Sequence, residues 1–209
     1  MPKSSEELTQ ARKDEIINAC AELYETMNFK DVTLKDIGAK TSFTRTLIYY
    51  YFHTKEEIFL ALLQREYEAW IEDLAAIQKC DLNMTVNQFA EELARSLERR
   101  SRLLKLMSMN HYDMEANSRM ENLVAFKTAY GNSMRAVTRC LEKFFPRMTA
   151  SEIQDFIVAF FPFMFGIYPY TVVTEKQRIA LEKSHTNYVF LSIYEITKSM
   201  VIKLLQEFK

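Results

Sequence analysis

Residues 33–58 read TLKDIGAKTSFTRTLIYYYFHTKEEI, and this stretch holds four aromatics in a row: Tyr49, Tyr50, Tyr51 and Phe52. Successive residues on a helix point about 100° apart. Four in a row therefore cover every side of the rod, and one core cannot bury them all. Around them the pattern reads as two short helices joined by a tight turn. Thr33 caps LKDIGAK, TSF breaks it, Thr44 caps RTLIYYYF, and HT ends that helix before Thr54 opens a long one. Ile37 and Ile48 are spaced to pack across the crossing, with Gly38 keeping it small and Phe43 plugging the turn. Ile48 and Phe52, four apart, share the packed face. Tyr49 and Tyr50 are left facing outward, with Tyr51 open between the two roles. Such a unit presents its second helix to the major groove of a duplex.

Working outward, a first helix is expected over about 5–27, with Ile16, Cys20, Leu23, Tyr24 and Met27 on one stripe. The long helix after Thr54 reaches about Lys79, with Ile58, Leu62, Tyr67, Trp70, Leu74 and Ile77 inward. Further helical stretches follow at about 86–110, 119–145, 150–168, 175–182 and 186–208, with HYDMEANS and FPRMTAS as linkers. Capping boxes pair Ser4 with Glu7, Thr54 with Glu57, Thr85 with Gln88, Thr149 with Glu152 and Thr174 with Gln177. The fold class is all-α. A helix-turn-helix domain is expected over 1–55, a connecting helix over 55–79 and a larger helical bundle over 80–209.

Composition narrows the function. The chain has 209 residues, 48 % apolar and 26 % charged, which suits a globular protein. Only three glycines and four prolines are present. Three scattered glycines build neither a dinucleotide fingerprint nor a phosphate-binding loop. Net charge is −1, so a basic footprint is only local. Within 35–55, Lys35, Lys40, Arg45 and Lys55 stand against Asp36. Cys20, Cys80 and Cys140 have no metal or redox spacing and read as reduced thiols of a cytoplasmic protein. The uncharged run 156–174, FIVAFFPFMFGIYPYTVVT, is near spanning length. Its prolines, tyrosines and threonines favour a buried or subunit-facing helix over a membrane span. Pro162 and Pro169 are expected to kink or end it.

The segment 33–58 resembles the DNA-binding segment of the TetR family of bacterial transcriptional regulators. Ile37-Gly38 stands for the family's Ile-Ala pair and Thr41-Ser42-Phe43-Thr44 for its turn. Ile48 to Phe52 and Lys55 to Ile58 complete the pattern, and the resemblance covers about residues 8 to 65. It implies phosphate contacts from Thr33, Thr44, Tyr49 and Lys55, with Arg45 and Tyr50 reaching base edges. Thr46 and Leu47 depart from the family's smaller or polar residues on this helix, and Leu47 suits a thymine methyl. Ser42 replaces a glycine, a change that costs up to about 1 kcal/mol if the position has positive φ.

The same resemblance implies a ligand-responsive regulator, a repressor that binds a palindromic DNA operator as a homodimer and is released by a small-molecule effector. Its second part would dimerise and enclose the effector. The pocket candidates are Met107, Tyr112, Phe126, Tyr130, Met164 and Tyr168. The dimer candidates are Phe156, Phe160 and Phe163 on one helix with Tyr188, Leu191, Met200 and Leu204 on another. No catalytic residue, cofactor, metal or membrane partner is implied. Two other readings stay open. One is a DNA-binding regulator without a small-molecule ligand. The other is a small helical metal-dependent enzyme using His111, Asp113 and Glu115, although His53, His111 and His185 are dispersed and no catalytic motif appears.

Overall fold

A computed structural model describes residues 5–206 apart from Leu82 and Asn110; the side chains of Arg45, His111 and Tyr112 also lie outside the description. Among the described residues there are eleven helices and no strand. They are α1 (Ser5–Thr26), α2 (Leu34–Ala39), α3 (Arg45–Tyr51), α4 (Lys55–Gln78), α5 (Val86–Arg99), α6 (Ser101–Met107), α7 (His111–Ala116), α8 (Met120–Phe144), α9 (Ala150–Thr171), α10 (Glu175–Lys183) and α11 (Ile193–Gln206). The box expected at Ser4 falls outside the described residues.

The chain forms two compact units. The first takes the residues through Arg65 together with Met109–Tyr130, and the second takes Glu66–Ser108 and everything from Gly131 on. Both α4 and α8 therefore give one stretch to each unit. In the first unit α2 packs on α1 and on α3. Ile16, Cys20, Ile37, Ile48, Ile58 and Leu62 are fully buried there. Phe59 is the hub, with the rings of Tyr24 and Phe29 set edge-on to it at 5.2 and 4.8 Å.

In the second unit α11 packs on α5 and α9, and α6 packs on α9. Trp70 is wholly buried, and its indole N–H donates to Ser96 Oγ at 3.0 Å. Helices α5 and α6 were expected as one stretch. They part at Arg100 (φ −107°, ψ 39°), whose guanidinium holds both oxygens of Asp73 at 2.7 and 3.1 Å and donates to the Ala69 carbonyl at 3.1 Å. A bidentate fork of this kind stabilises a backbone break that no glycine or proline announces. HYDMEANS, expected as a linker, holds α7, anchored by the fully buried Met114. The last helix starts later than expected, at Ile193, where a reciprocal box between Ser192 and Glu195 fixes its start.

Helix α9 is long and apolar enough to cross a membrane by length and composition, but Ile153, Phe156, Phe160, Phe161 and Met164 are spent on the interior. It runs through Pro162 and Pro169 to Thr171 rather than ending at them. Both prolines sit on its exposed side, so the carbonyls they leave unbonded, four residues back, lie away from the core.

Candidate nucleic-acid interface

The turn between α2 and α3 is fastened locally and to α1. Thr33 and Asp36 form a reciprocal capping box at the start of α2. Thr41 Oγ1 donates to the Gly38 carbonyl at 3.0 Å and to the Phe43 carbonyl at 3.3 Å, bracing the turn. From the turn, the Ser42 N–H donates to Glu15 of α1, and Lys40 pairs with Glu22 of the same helix. Ser42 does not have positive φ; among the described non-glycine residues only His185 does, at 52°. The strain considered for Ser42 is therefore absent.

Helix α3 divides sharply by direction. Ile48 is fully buried, and Tyr51 and Phe52 are buried at 6 % and 3 % exposure. Tyr49 is 40 % exposed and Tyr50 75 %. Thr46 is exposed and Leu47 half-buried. Positions 46, 49 and 50 stand three and four apart, so they share one outward face. The Tyr50 ring rests edge-on against Tyr51 at 5.1 Å. The Tyr51 hydroxyl accepts from Arg12 Nη1 at 3.2 Å, which commits it inside the protein. Thr44 precedes the helix in extended backbone (φ −72°, ψ 154°) and makes no side-chain cap bond, so its predicted cap is missing. Thr44 is exposed at a helix start, a position whose backbone N–H groups in general suit an anion. Arg45 opens α3, and its side chain lies outside the described residues.

Two expected phosphate contacts are committed elsewhere. Thr33 gives both its N–H and its hydroxyl to Asp36 Oδ2, at 3.1 and 2.5 Å. Donors already given to a carboxylate are poorly placed to serve a second anion. Lys55 Nζ donates to three carbonyls, of Phe29 at 2.8 Å, Val32 at 3.2 Å and Lys30 at 3.5 Å, and lies 4.5 Å from the Phe29 ring centre. An ammonium has three donors. All three serve the α1–α2 turn, so Lys55 is a clamp on that turn.

A buried ion pair escaped the sequence reading. Glu57, 1 % exposed, accepts from Arg119 Nε at 2.8 Å, Arg119 Nη2 at 3.0 Å, the Arg119 N–H at 2.9 Å and the His53 N–H at 2.8 Å. Arg119 Nη2 also donates to the Tyr51 carbonyl at 2.9 Å, and Thr54 Oγ1 donates to the Asn117 carbonyl at 2.9 Å. Burial pushes the Glu57 carboxyl upward, but the Arg119 and His53 donors outweigh it and hold it down at about 2. The box expected between Thr54 and Glu57 is half made. The Glu57 N–H reaches Thr54 Oγ1 at 3.2 Å, while the carboxylate turns to Arg119 and His53.

Comparison with known proteins matches residues 16–62, the segment that carries this site, to the family of bacterial regulatory proteins named tetR. Residues 64–206 match the tetracyclin repressor-like C-terminal domain. The chain belongs to the TetR family of bacterial transcriptional regulators. A crystal structure described as a TetR-family transcriptional regulator from Mesorhizobium loti MAFF303099 shares the fold at a TM-score of 0.58, with 14 % identity and 98 % of each chain covered. No curated protein matches the sequence significantly. As a TetR-family DNA-binding regulator, the chain is not an enzyme.

The carboxy-terminal candidates of this TetR-family chain scatter. Met107 and Met164 are buried in the second unit and Tyr168 is half-buried there. Phe126 is buried in the first unit beside the half-buried Tyr130, their rings 6.4 Å apart. Tyr112's side chain is outside the described residues. Phe156 and Phe160 are also interior, at 1 % and 0 % exposure, with rings 5.3 Å apart, so they are core rather than subunit-facing residues. Phe163, Met200 and Leu204 are half-buried. Tyr188 and Leu191 precede α11 instead of belonging to it. The α9 surface instead offers Val158, 59 % exposed, and Pro162 one turn on. An apolar cavity of about 440 Å³ lies where α9 ends, lined by Tyr170, Val173, Gln177, Leu181, Ser184 and Tyr188 among others. Cys20 and Cys140 are buried, and burial pushes their thiols up to about 12 and 11, far from reactive thiolates. Asp113 and Glu115 lie on α7, where Glu115 pairs with Lys127 at 2.5 Å. His111's side chain is outside the described residues.

Proposed function

We propose that this TetR-family regulator is a cytoplasmic repressor. In this reading it binds a palindromic operator as a homodimer and leaves DNA when a small-molecule effector occupies the carboxy-terminal unit. The DNA reading rests on one observation: Thr46, Tyr49 and Tyr50 share the outward face of a helix whose opposite face is buried. Threonine and tyrosine hydroxyls donate to phosphate or base edges, and the half-buried Leu47 beside them suits a thymine methyl. Thr44 adds an exposed residue at the start of the same helix. For the dimer, the exposed side of α9 at Val158 and Pro162 is the leading surface, with Phe163, Leu191, Met200 and Leu204 as further candidates. For the effector, the apolar cavity at the end of α9 suits a lipophilic compound carrying one polar group, which Gln177 or Ser184 would meet.

The test is selection of bound duplexes from a random pool, first alone and then with a panel of lipophilic and cationic compounds. An enriched palindrome released by one compound is the expected result. Tyr50→Ala should weaken the selected duplex by about 1–3 kcal/mol and leave a shuffled duplex nearly unaffected. A uniform loss on both duplexes would make Tyr50 a backbone contact. Release by no compound would favour a regulator that works without a small-molecule ligand.

A further inference from the structure

The carboxy-terminal end of α3 is held by a residue from far along the chain. Helix α3 has seven residues and no basic side chain in its last turn. A helix this short is marginal alone, and its unpaired last carbonyls attract a cation. Arg119 supplies one: its Nη2 sits 2.9 Å from the Tyr51 carbonyl. The same guanidinium is pinned by the buried Glu57 through Nε and Nη2, and Glu57 is pinned in turn by the His53 N–H just past α3. Arg119 Nη1 also lies 3.3 Å from Glu121. The fork therefore meets three acceptors in fixed directions, Glu57 Oε1, Glu57 Oε2 and the Tyr51 carbonyl, which a lysine's single ammonium cannot span.

We propose that Arg119 is a positioning residue for DNA reading, which fixes the angle of α3 by holding its last carbonyl and so sets where Tyr49 and Tyr50 meet the duplex. This rests on α3 being the reading helix. Arg119 touches no DNA in this scheme; it acts through the Tyr51 backbone. Because α8 begins at the next residue, the tie also joins the start of α8 to the reading helix.

The experiment must separate positioning from simple support of the fold, because removing Arg119 alone strands a buried carboxylate. Full-length wild type, Arg119→Lys and the double variant Glu57→Gln/Arg119→Met are compared. Each is measured for thermal unfolding and for affinity to two duplexes: one recovered by wild type from a random pool, and a shuffled duplex of equal length. The double variant buries no unpaired charge and should unfold near the wild-type temperature. Its preference for the selected duplex should nevertheless fall about tenfold, with shuffled-duplex affinity unchanged. Arg119→Lys should fold and lose preference as well. A folded double variant or Arg119→Lys with the wild-type preference would overturn the proposal, and if the double variant fails to fold, Arg119→Lys decides. Tyr50→Ala serves as the control. If it kept full affinity for both duplexes, α3 would not be the reading helix, a result distinct from any given by the Arg119 variants.

Discussion

At the scale of single residues, Glu57 is a carboxylate buried to 1 % exposure. A carboxylate this buried survives only because Arg119 and the His53 N–H satisfy it. Its folded pKa of about 2 lies below its ordinary value of 4.5. A depressed carboxyl contributes stability that is present above the unfolded value and lost as pH falls toward the folded one. The first unit should therefore weaken between about pH 4.5 and pH 2, by an amount on the order of 3 kcal/mol. Urea unfolding followed across that window checks it. Glu57→Gln should flatten the acid limb, and an unchanged limb would assign the acid sensitivity to other carboxylates. None of this was legible in the sequence. Thr54 and Glu57 have the spacing of a local box, and nothing nearby says that the carboxylate turns instead to a partner 62 residues on.

At the scale of elements, local chemistry was readable and long-range fastening was not. The two-helix unit follows from the spacing of Ile37 and Ile48 and from the threonine before each helix. The boxes at Thr85, Thr149 and Thr174 mark real helix starts, because a cap is a contact between near neighbours. The division at Arg100 depends on Asp73 and Ala69 from another helix, so no window of sequence contains it. The start of α11 carries the same box signal, at Ser192 and Glu195. Lys55 illustrates the same limit. Its place at the start of α4 suits a phosphate contact, yet its three donors fasten the α1–α2 turn. Lys55→Ala should lower unfolding stability by about 1–3 kcal/mol, since three carbonyls lose a charged partner. The salt dependence of duplex binding should keep its slope. A slope lower by about one unit would instead place Lys55 on a phosphate.

At the scale of the whole molecule, the proposed homodimer makes a separate claim. The outward side of α9 is its apolar centre, with Val158 more than half exposed and Pro162 one turn away. Val158→Asp would place a charge at a self-complementary contact and meet its own copy there. Sedimentation should show a shift toward monomer, and affinity should fall far more for a palindromic duplex than for a half-site. A variant that stays dimeric would move the interface off this side of α9. Aromatic spacing alone does not distinguish a core stripe from an interface stripe; burial assigns Phe156 and Phe160 to the core.

The first unit is not a continuous piece of chain: Met109–Tyr130 completes what the residues through Arg65 begin. Two stretches far apart in the chain must therefore meet before this unit is complete. Without Arg119, the Glu57 side chain lacks the partner that lets it be buried. Joining them closes a long loop, which costs entropy that contacts between near neighbours avoid. A fragment cut after Arg65 would keep every residue expected to touch DNA and lose Arg119, which ties down the end of α3.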